Sequence, residues 1–313
     1  MEPIFLEPIY KHHVWGGYEI SKELKGCEEE QISESWEIAD NKNGMTAITN
    51  GQYKGKFLND LIKDERTRTE VFGTNCKNID KFPLLIKFID AKENLSVQVH
   101  PDDAYAKTYE NDTGKTELWH IIDCADDAKI ICGLKNNAEI NNINESNISD
   151  NLEYLPIKKG DSILIKAGTV HAIMGNTLLC EIQQNSDLTY RVFDWNRNNP
   201  DRPLHLDKAR DVINIACRGE KIEEKRELNK IENISHNKFF FVDKLRTQGH
   251  YTLTADSKTF QAINVISGSG SIVCNSNEYK ISQGSSFLIP ANMGEYTLKG
   301  DLEVIISYIG TEM

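Results

Sequence analysis

The sequence predicts a mainly β protein made of two jelly-roll β-barrels with short helical elements. Apolar and polar residues alternate in short runs along much of the chain, and a period of two is typical of strands that bury one face. Segments 160–171 and 284–295 also repeat one pattern, an apolar strand followed by a glycine-containing turn. Antiparallel double-sheet rolls bury one face of each strand and close their own edges, which fits this alternation.

The remaining elements follow from local patterns, taken in chain order. Apolar residues recur at helical spacing in residues 54–73, which predicts a helix. Residues 136–155 are polar and rich in asparagine, so we expect a short helix and then a loop. Further along we expect strands at 161–166, 177–184 and 189–195, a helix at 203–213, a solvated linker at 221–230, and strands again from residue 237.

The composition is that of an ordinary globular protein, and it argues against several classes of partner. The chain has 313 residues, of which 39% are hydrophobic and 27% charged, enough for two domains with sizeable cores. Its net charge of −12 argues against nucleic acid or an anionic membrane as a partner. We expect a cytoplasmic protein, because no leader-like or membrane-length apolar segment occurs and the seven cysteines include no close CxxC pair.

Two alternating runs predict polar side chains that share one face of a strand. In residues 96–101 (SVQVHP), Ser96, Gln98 and His100 project to one side while the valines between them project to the other. In residues 115–120 (KTELWH), Lys115 and Glu117 likewise point the same way. Each run therefore presents groups that can bind a ligand together.

A third segment completes a predicted metal site. Residues 160–171 (GDSILIKAGTVH) form an apolar strand, a glycine turn and then His171. Two imidazoles, from His100 and His171, with the Glu117 carboxylate and the Gln98 amide oxygen suit zinc or another divalent metal, with a position left for substrate. This arrangement resembles the two motif blocks of the cupin superfamily, with Gln98 standing where many cupins carry a first histidine.

Five further segments narrow this resemblance. They are similar, in the same order, to the signatures of type I mannose-6-phosphate isomerase: residues 10–17 (YKHHVWGG), 34–39 (ESWEIA), 83–87 (PLLIK), 95–103 (LSVQVHPDD) and 189–194 (TYRVFD). The segment between Glu117 and His171 is too short for the helical insertion of the long forms. The resemblance is therefore to the short bacterial form of the family.

The resemblance implies a zinc-dependent aldose–ketose isomerase, with one divalent ion per chain, that interconverts mannose 6-phosphate and fructose 6-phosphate through an enediolate. Arg191 matches the family's active-site arginine and is suited to contact with an oxyanion or a phosphate. Lys115 and Glu181 match positions that line the pocket, and either one can be the base that moves the proton.

Three more residues are implied to contact the substrate, a small sugar phosphate. Ser96 and Lys87 match positions near the phosphate, and Trp15 would form an apolar wall. The remaining histidines match no family role, and we expect them to be surface or supporting groups: His12, His13, His120, His205, His236 and His250.

We accordingly divide the chain into a catalytic, metal-binding cupin domain with short helices at residues 1–236 and a metal-free jelly-roll domain at residues 237–313. In the second domain Glu295 stands at the position that His171 holds in the first. Two alternatives stay open: a non-catalytic phosphosugar-binding or regulatory cupin, which would bind ligand without exchanging its carbon-bound proton, and a cupin oxygenase, which would need a redox-active metal.

Overall fold

The computed structural model describes residues 1–27 and 30–310, and the predicted mainly β character is confirmed. Labelled β1 to β22 in chain order, the described strands are Ile4–Phe5, Ile9–Lys11, Glu34–Ile38, Asp40–Asn41, Gly44–Met45, Leu84–Ala91, Val97–Val99, Glu117–Cys124, Lys129–Leu134, Leu152–Pro156, Ser162–Ile165, His171–Ala172, Thr177–Gln184, Tyr190–Phe193, Glu220–Ile222, Ile231–His236, Phe241–Thr247, His250–Ala255, Gln261–Cys274, Asn277–Ser282, Ser286–Ile289 and Gly294–Tyr308. The described α-helices, α1 to α4, are Leu58–Lys63, Glu65–Phe72, Asp103–Tyr109 and Leu206–Val212. Shorter helical turns are a π-helical turn at Ile20–Lys25 and 3₁₀ turns at Gly51–Tyr53, Thr74–Cys76, Ile140–Asn142 and Ile148–Asn151.

The first roll is built from two sheets that share one core. A seven-stranded sheet has the order β15-β11-β8-β13-β6-β3-β2, and a five-stranded sheet has the order β10-β9-β12-β7-β14. Trp119 and Ile163 of the first sheet and Ile130 of the second belong to the same buried apolar cluster. Among the described strands, hydrogen bonding leaves these two sheets open, so the roll is held together by packing between them.

The second roll is an eight-stranded sheet of order β1-β21-β19-β22-β17-β16, with β18 paired to β22 and β20 to β19. Ile4 of β1 lies opposite Leu288 of β21, and Ile231 of β16 lies opposite Leu245 of β17. Strands from before residue 237 thus add to this sheet, while the division of the chain at residues 236 and 237 stays a prediction. Glu295, the counterpart of His171, is exposed.

Several predicted elements are present with changed bounds. The strands expected at 161–166, 177–184 and 189–195 are β11, β13 and β14. The single helix expected at 54–73 is instead α1 and α2, because the Asp64 carboxylate accepts a hydrogen bond from Thr67 N at 2.7 Å and begins a new helix. Helix α4 lies within 203–213 as expected. Among the described residues, none of the helices combines the length and the hydropathy that crossing a bilayer would require.

Other local expectations were wrong or incomplete. The loop expected at the end of 136–155 is strand β10, whose residues Glu153 and Tyr154 are exposed. Helix α3 was not predicted, although the Asp102 carboxylate caps it by accepting from Tyr105 N at 2.9 Å. The linker expected to be solvated at 221–230 carries Glu224, whose side chain is 3% exposed.

The two rolls pack against each other through the outer face of the seven-stranded sheet. Leu118 and Ile122 of β8 lie in one apolar cluster with Val242 of β17 and Ile305 of β22. Because side chains alternate along a strand, Glu117 and Trp119 project to the opposite side of β8, into the first roll. One strand therefore serves both the interior of the first roll and its contact with the second.

A buried polar network crosses this contact. Lys244 Nζ donates to Glu224 Oε2 at 2.8 Å and lies 2.7 Å from Glu303 Oε1. His120 Nδ1 lies 2.9 Å from Ser162 Oγ, and the Lys244 ammonium lies 3.5 Å from His120 Nε2. Burial, followed by the charge of Lys244, lowers the pKa of His120 to about 3. His120 is thus a neutral, buried member of the contact between the rolls and is not a surface group.

We expect Lys244→Met to lower the free energy of unfolding by about 3–5 kcal/mol, because it leaves the buried Glu224 carboxylate without a compensating charge, while Glu303 keeps its pair with Arg246. Urea unfolding of the purified protein measures this. Lys166→Met is the matched control, since the Lys166–Glu220 pair is exposed and should contribute little. Equal unfolding midpoints for the two variants would contradict a stabilising role for the network.

Candidate active site

Three of the four predicted metal ligands meet inside the first roll. His171 Nε2 lies 3.1 Å from His100 Nε2 and 3.3 Å from Glu117 Oε1, and His100 Nε2 lies 3.5 Å from Glu117 Oε2. His100 follows β7, Glu117 begins β8 and His171 begins β12. Each of the three residues is at most 1% exposed. The alternation that predicted their direction along each strand is consistent with this convergence.

Backbone carbonyls determine which imidazole nitrogen carries the proton. His100 Nδ1 lies 2.7 Å from the Leu188 carbonyl oxygen, and His171 Nδ1 lies 2.8 Å from the Thr169 carbonyl oxygen. A carbonyl oxygen only accepts hydrogen bonds, so each Nδ1 must donate and each Nε2 keeps a lone pair. The two lone pairs and the Glu117 carboxylate therefore face one another.

The protonation states of these groups suit metal binding. Burial, followed by the charge of Lys115, lowers the pKa of His100 to about 3, and burial also lowers the pKa of His171. Burial by itself would raise the pKa of Glu117, but Lys115 and the two imidazoles hold it well below its ordinary value. At neutral pH the cluster presents two neutral imidazoles and a carboxylate, the forms that ligate a metal.

The donor set fits a divalent cation. Neither oxygen of Glu117 accepts a hydrogen bond of good geometry within the described structure, although Lys115 Nζ lies 3.1 Å from Oε2. A buried carboxylate that accepts no hydrogen bond is costly. A bound metal ion would offset the charge of this carboxylate and accept the two imidazole lone pairs. His100, Glu117 and His171 would hold the ion.

Gln98 and Lys115 border the cluster. Gln98 Nε2 lies 3.4 Å from His171 Nε2, and a half-turn of the amide exchanges its nitrogen for its oxygen. Its role as the fourth ligand stays a prediction. Lys115 Nζ lies 3.1 Å from Glu117 Oε2, which places a cation beside the carboxylate end of the cluster.

Strand register aligns Arg191 with the cluster. Across the five-stranded sheet, His171 of β12 lies opposite Gln98 of β7, and Gln98 lies opposite Arg191 of β14. Directly opposite residues of antiparallel strands project to the same side of the sheet. Arg191 Nε makes no hydrogen bond to the described residues. Burial, followed by the charge of Arg202, lowers the pKa of Arg191.

A second row crosses the seven-stranded sheet. Lys87 of β6 lies opposite Glu181 of β13, and Glu181 lies opposite Trp119 of β8. Lys87 Nζ lies 3.4 Å from Glu181 Oε2 and 3.4 Å from Glu34 Oε2. Burial by itself would lower the pKa of Lys87, but these two carboxylates raise it. Lys87 is therefore a fully charged ammonium held between two acids.

Glu181 has an environment that favours the protonated carboxyl group. Its Oε1 accepts a hydrogen bond from Trp119 Nε1 at 3.0 Å, whereas its Oε2 has no hydrogen-bond partner among the described residues. Burial and then the charge of Glu117 raise the pKa of Glu181. A raised pKa in a cavity wall is typical of groups that transfer protons.

The predicted residues surround one cavity of about 470 Å³. Seven of them line it: Trp15, Lys87, Ser96, Gln98, Lys115, Glu181 and Arg191. The three predicted metal ligands lie directly behind the wall of the cavity, since the lining residues Gln98 and Lys115 contact His171 and Glu117. A cavity of this size can enclose a sugar phosphate.

The cavity wall also contains residues that sequence reasoning assigned elsewhere or missed. His13 stacks on Trp15, with ring centroids 5.2 Å apart, and His205 Nδ1 accepts a hydrogen bond from Arg191 N at 3.2 Å. Glu34 lies in the segment 34–39 that resembles a family signature, but the sequence predicted no role for it. Arg202 lies in a polar loop whose composition offered no signal of function.

Comparison with known proteins identifies two matching family models. "Phosphomannose isomerase type I, catalytic domain" matches residues 4–137, and "Mannose-6-phosphate isomerase, cupin domain" matches residues 230–309. The first match contains Gln98, His100 and Glu117, and the second covers nearly all of the eight-stranded sheet.

Similar proteins align over almost the whole chain. The probable mannose-6-phosphate isomerase GmuF of Bacillus subtilis is 38% identical, covering 98% of this chain and 99% of that protein. The mannose-6-phosphate isomerase of Streptococcus mutans is 33% identical, covering 98% of each chain. The crystal structure of the mannose 6-phosphate isomerase from Bacillus subtilis matches with a TM-score of 0.89 and 34% identity, covering 98% of this chain and 99% of the other.

We expect His171→Ala to lose most of the bound metal, because it removes one of three ligands from a buried cluster. Elemental analysis of the purified protein should find close to one equivalent of metal in the wild type and little in the variant. His13→Ala is the matched control, since His13 lines the cavity but lies outside the cluster, and it should keep its metal. Full occupancy in His171→Ala would refute the ligand assignment.

Proposed function

The chain belongs to the type I mannose-6-phosphate isomerase family of enzymes, and on that premise we propose that it interconverts mannose 6-phosphate and fructose 6-phosphate with the help of a zinc ion. One observation carries the proposal. The Nε2 lone pairs of His100 and His171 face the Glu117 carboxylate beside a cavity that Lys115, Glu181 and Arg191 line. The proposal is supported by a set of possible metal ligands that lies next to side chains able to move a proton.

The reaction moves hydrogen between the first two carbons of the sugar through an enediolate. His100, Glu117 and His171, with Gln98 as a weaker fourth ligand, would hold the zinc ion, which would supply Lewis-acid polarisation of the sugar's oxygens and so acidify the carbon-bound proton. Imidazole and carboxylate ligands with an open position suit zinc. The residues of the cavity wall perform the remaining tasks.

Glu181 acts as the base that takes the proton from one carbon and returns it to the next. Its raised pKa supports this role, as does its Oε2, which accepts no hydrogen bond from the described residues and lies 3.4 Å from Lys87 Nζ. Lys115 is less suited to reach the carbon-bound proton, because its ammonium is engaged with the Glu117 carboxylate 3.1 Å away. Lys115 instead offers positive charge near the oxygens of the enediolate.

Arg191 stabilises the oxyanion that develops as the proton leaves. It aligns with Gln98 across the sheet, and its guanidinium is permanently charged. Trp15, which is 2% exposed, forms an apolar wall, and Ser96 contributes a hydroxyl to the cavity. Lys87 holds Glu181 in place through their ion pair. We also propose that the Lys87 ammonium contacts the phosphate, as the family resemblance implies.

The cellular setting follows from the same family and from composition. We propose a cytoplasmic enzyme whose partner is a small sugar phosphate and not nucleic acid or a membrane. The net charge of −12 supports this. All seven cysteines lie in the described part of the chain as free thiols, which supports a reducing compartment.

The decisive assay is conversion of mannose 6-phosphate by the purified protein before and after chelation. We expect turnover that chelation abolishes and zinc restores. A regulatory cupin would bind the sugar phosphate tightly without exchanging its carbon-bound proton for deuterium from the solvent. Binding without exchange in the zinc-loaded protein would therefore overturn the enzymatic proposal.

We expect Glu181→Gln to lower both turnover and exchange of the carbon-bound proton by about 10²–10⁴-fold, because it removes the base. Its metal content should stay at the wild-type value. In the wild type, activity should be lost as the pH falls through the pKa of Glu181, which burial raises above 4.5, since the protonated carboxyl group cannot accept a proton. Retained exchange in Glu181→Gln, with loss of exchange in metal-loaded Lys115→Gln, would assign the base to Lys115.

A further inference from the structure

A protein with a net charge of −12 must place positive charge locally to hold a dianionic phosphate. Several cations of the cavity wall are already engaged. Lys87 lies 3.4 Å from each of two buried carboxylates, those of Glu34 and Glu181. Lys11 Nζ donates to the Asn43 carbonyl oxygen at 2.8 Å, and Lys208 Nζ donates to Glu110. These pairings reduce what each of these lysines can offer to a ligand.

We propose that Arg202, held in place by Asp194, binds the phosphate group of the substrate and so determines the preference for phosphorylated sugars. This inference rests on the proposed function and adds a specificity-determining residue to it. Arg202 lines the same cavity as Arg191 and Ser96. Its side chain is 12% exposed, so it is largely removed from water yet borders the open space.

The contacts of Arg202 leave part of its guanidinium free. Its Nε donates to Asp194 Oδ2 at 3.0 Å and its Nη2 to Asp194 Oδ1 at 3.4 Å. Its Nη1 donates no hydrogen bond to the described residues. The planar fork is thereby oriented by one carboxylate while other N–H groups remain available, an arrangement suited to an anion with several acceptor oxygens.

The surrounding charge favours an anion as well. Asp194 also accepts from Arg197 Nη1 at 3.1 Å, so its charge is shared between two guanidiniums. Arg191 and Arg202 are close enough for the charge of Arg202 to lower the pKa of Arg191. Two like charges in one wall repel each other, and a bound dianion relieves that repulsion.

The two arginines would then serve different ends of the substrate. Arg191 aligns with Gln98, next to the metal cluster, where the carbon-bound proton moves. Arg202 lies on the loop that follows β14, beyond Asp194. The phosphate bound at Arg202 would contribute equally to binding of the substrate and of the transition state, so losing that contact should raise KM and leave kcat nearly unchanged.

The test compares Arg202→Gln with Arg197→Gln. Both arginines contact Asp194, but Arg197 is absent from the lining of this cavity. The probe is inorganic phosphate, titrated calorimetrically into the metal-loaded protein and used as a competitive inhibitor. We expect Arg202→Gln to raise the dissociation constant of phosphate and the KM of mannose 6-phosphate by about tenfold to a hundredfold, with kcat changed by less than about threefold. Arg197→Gln should match the wild type within about twofold.

Phosphate binding unchanged in Arg202→Gln, or weakened equally in both variants, would overturn the proposal. If Arg202→Gln does not fold, Arg202→Lys decides: it keeps the charge but loses the fork, so we expect intermediate phosphate affinity, and wild-type affinity would count against a role for the fork. Absence of mannose 6-phosphate turnover in the wild type would instead contradict the proposed function. The calorimetric comparison would still test Arg202 in that case.

Discussion

The structure depends on burying acidic and basic side chains next to one another. They are the carboxylates of Glu34, Glu117 and Glu181, the ammonium groups of Lys87 and Lys115, and the neutral imidazoles of His100 and His171. Both oxygens of Glu117 and Oε2 of Glu181 accept no hydrogen bond from the described residues, and Lys115 and Lys87 lie within 3.4 Å of Glu117 Oε2 and Glu181 Oε2. In water such groups would be fully solvated, so their burial requires that charges pair or coordinate a cation. The same requirement keeps His100 and His171 neutral, because an added proton would bring further positive charge into the interior. The groups that balance one another's charge in the interior are therefore the same groups that can bind a metal and move a proton.

Strand geometry brings these groups together in the interior of the first roll. Opposite residues in neighbouring antiparallel strands share a face, which aligns His171, Gln98 and Arg191 on one sheet and Lys87, Glu181 and Trp119 on the other. The two sheets pack against each other, so both rows border the same interior. Side chains at alternate positions of the same strands, such as Leu118 and His120 of β8, face the second roll. The second roll therefore supports the sheet that carries Glu117, and the buried Lys244 network stabilises that contact.

Local sequence predicted elements well where burial follows a simple period. Strand β13 lies at 177–184, where the apolar run predicted it, and all eight of its residues are buried. Strand β10 was missed because three of its five residues are exposed and its composition is that of a loop. Helix α2 begins at Glu65, directly after its Asp64 cap, because the carboxylate cap competes with continuation of α1. Such outcomes depend on hydrogen bonds and on the neighbours that a strand finds, which a periodic pattern does not contain.

The sequence by itself determined the mainly β class, the family resemblance, and a set of polar residues whose alternation points them inward from separate strands. Only the tertiary structure decided which atoms meet. The tautomers of His100 and His171 follow from carbonyls of Leu188 and Thr169, and the pairing of Lys87 with Glu34 joins residues far apart in the chain. Arg202 carried no signal in its own loop, because its place in the wall is set by Asp194 and by the packing around it. Side-chain direction along a strand is a local property, whereas contact, burial and charge balance depend on long-range packing.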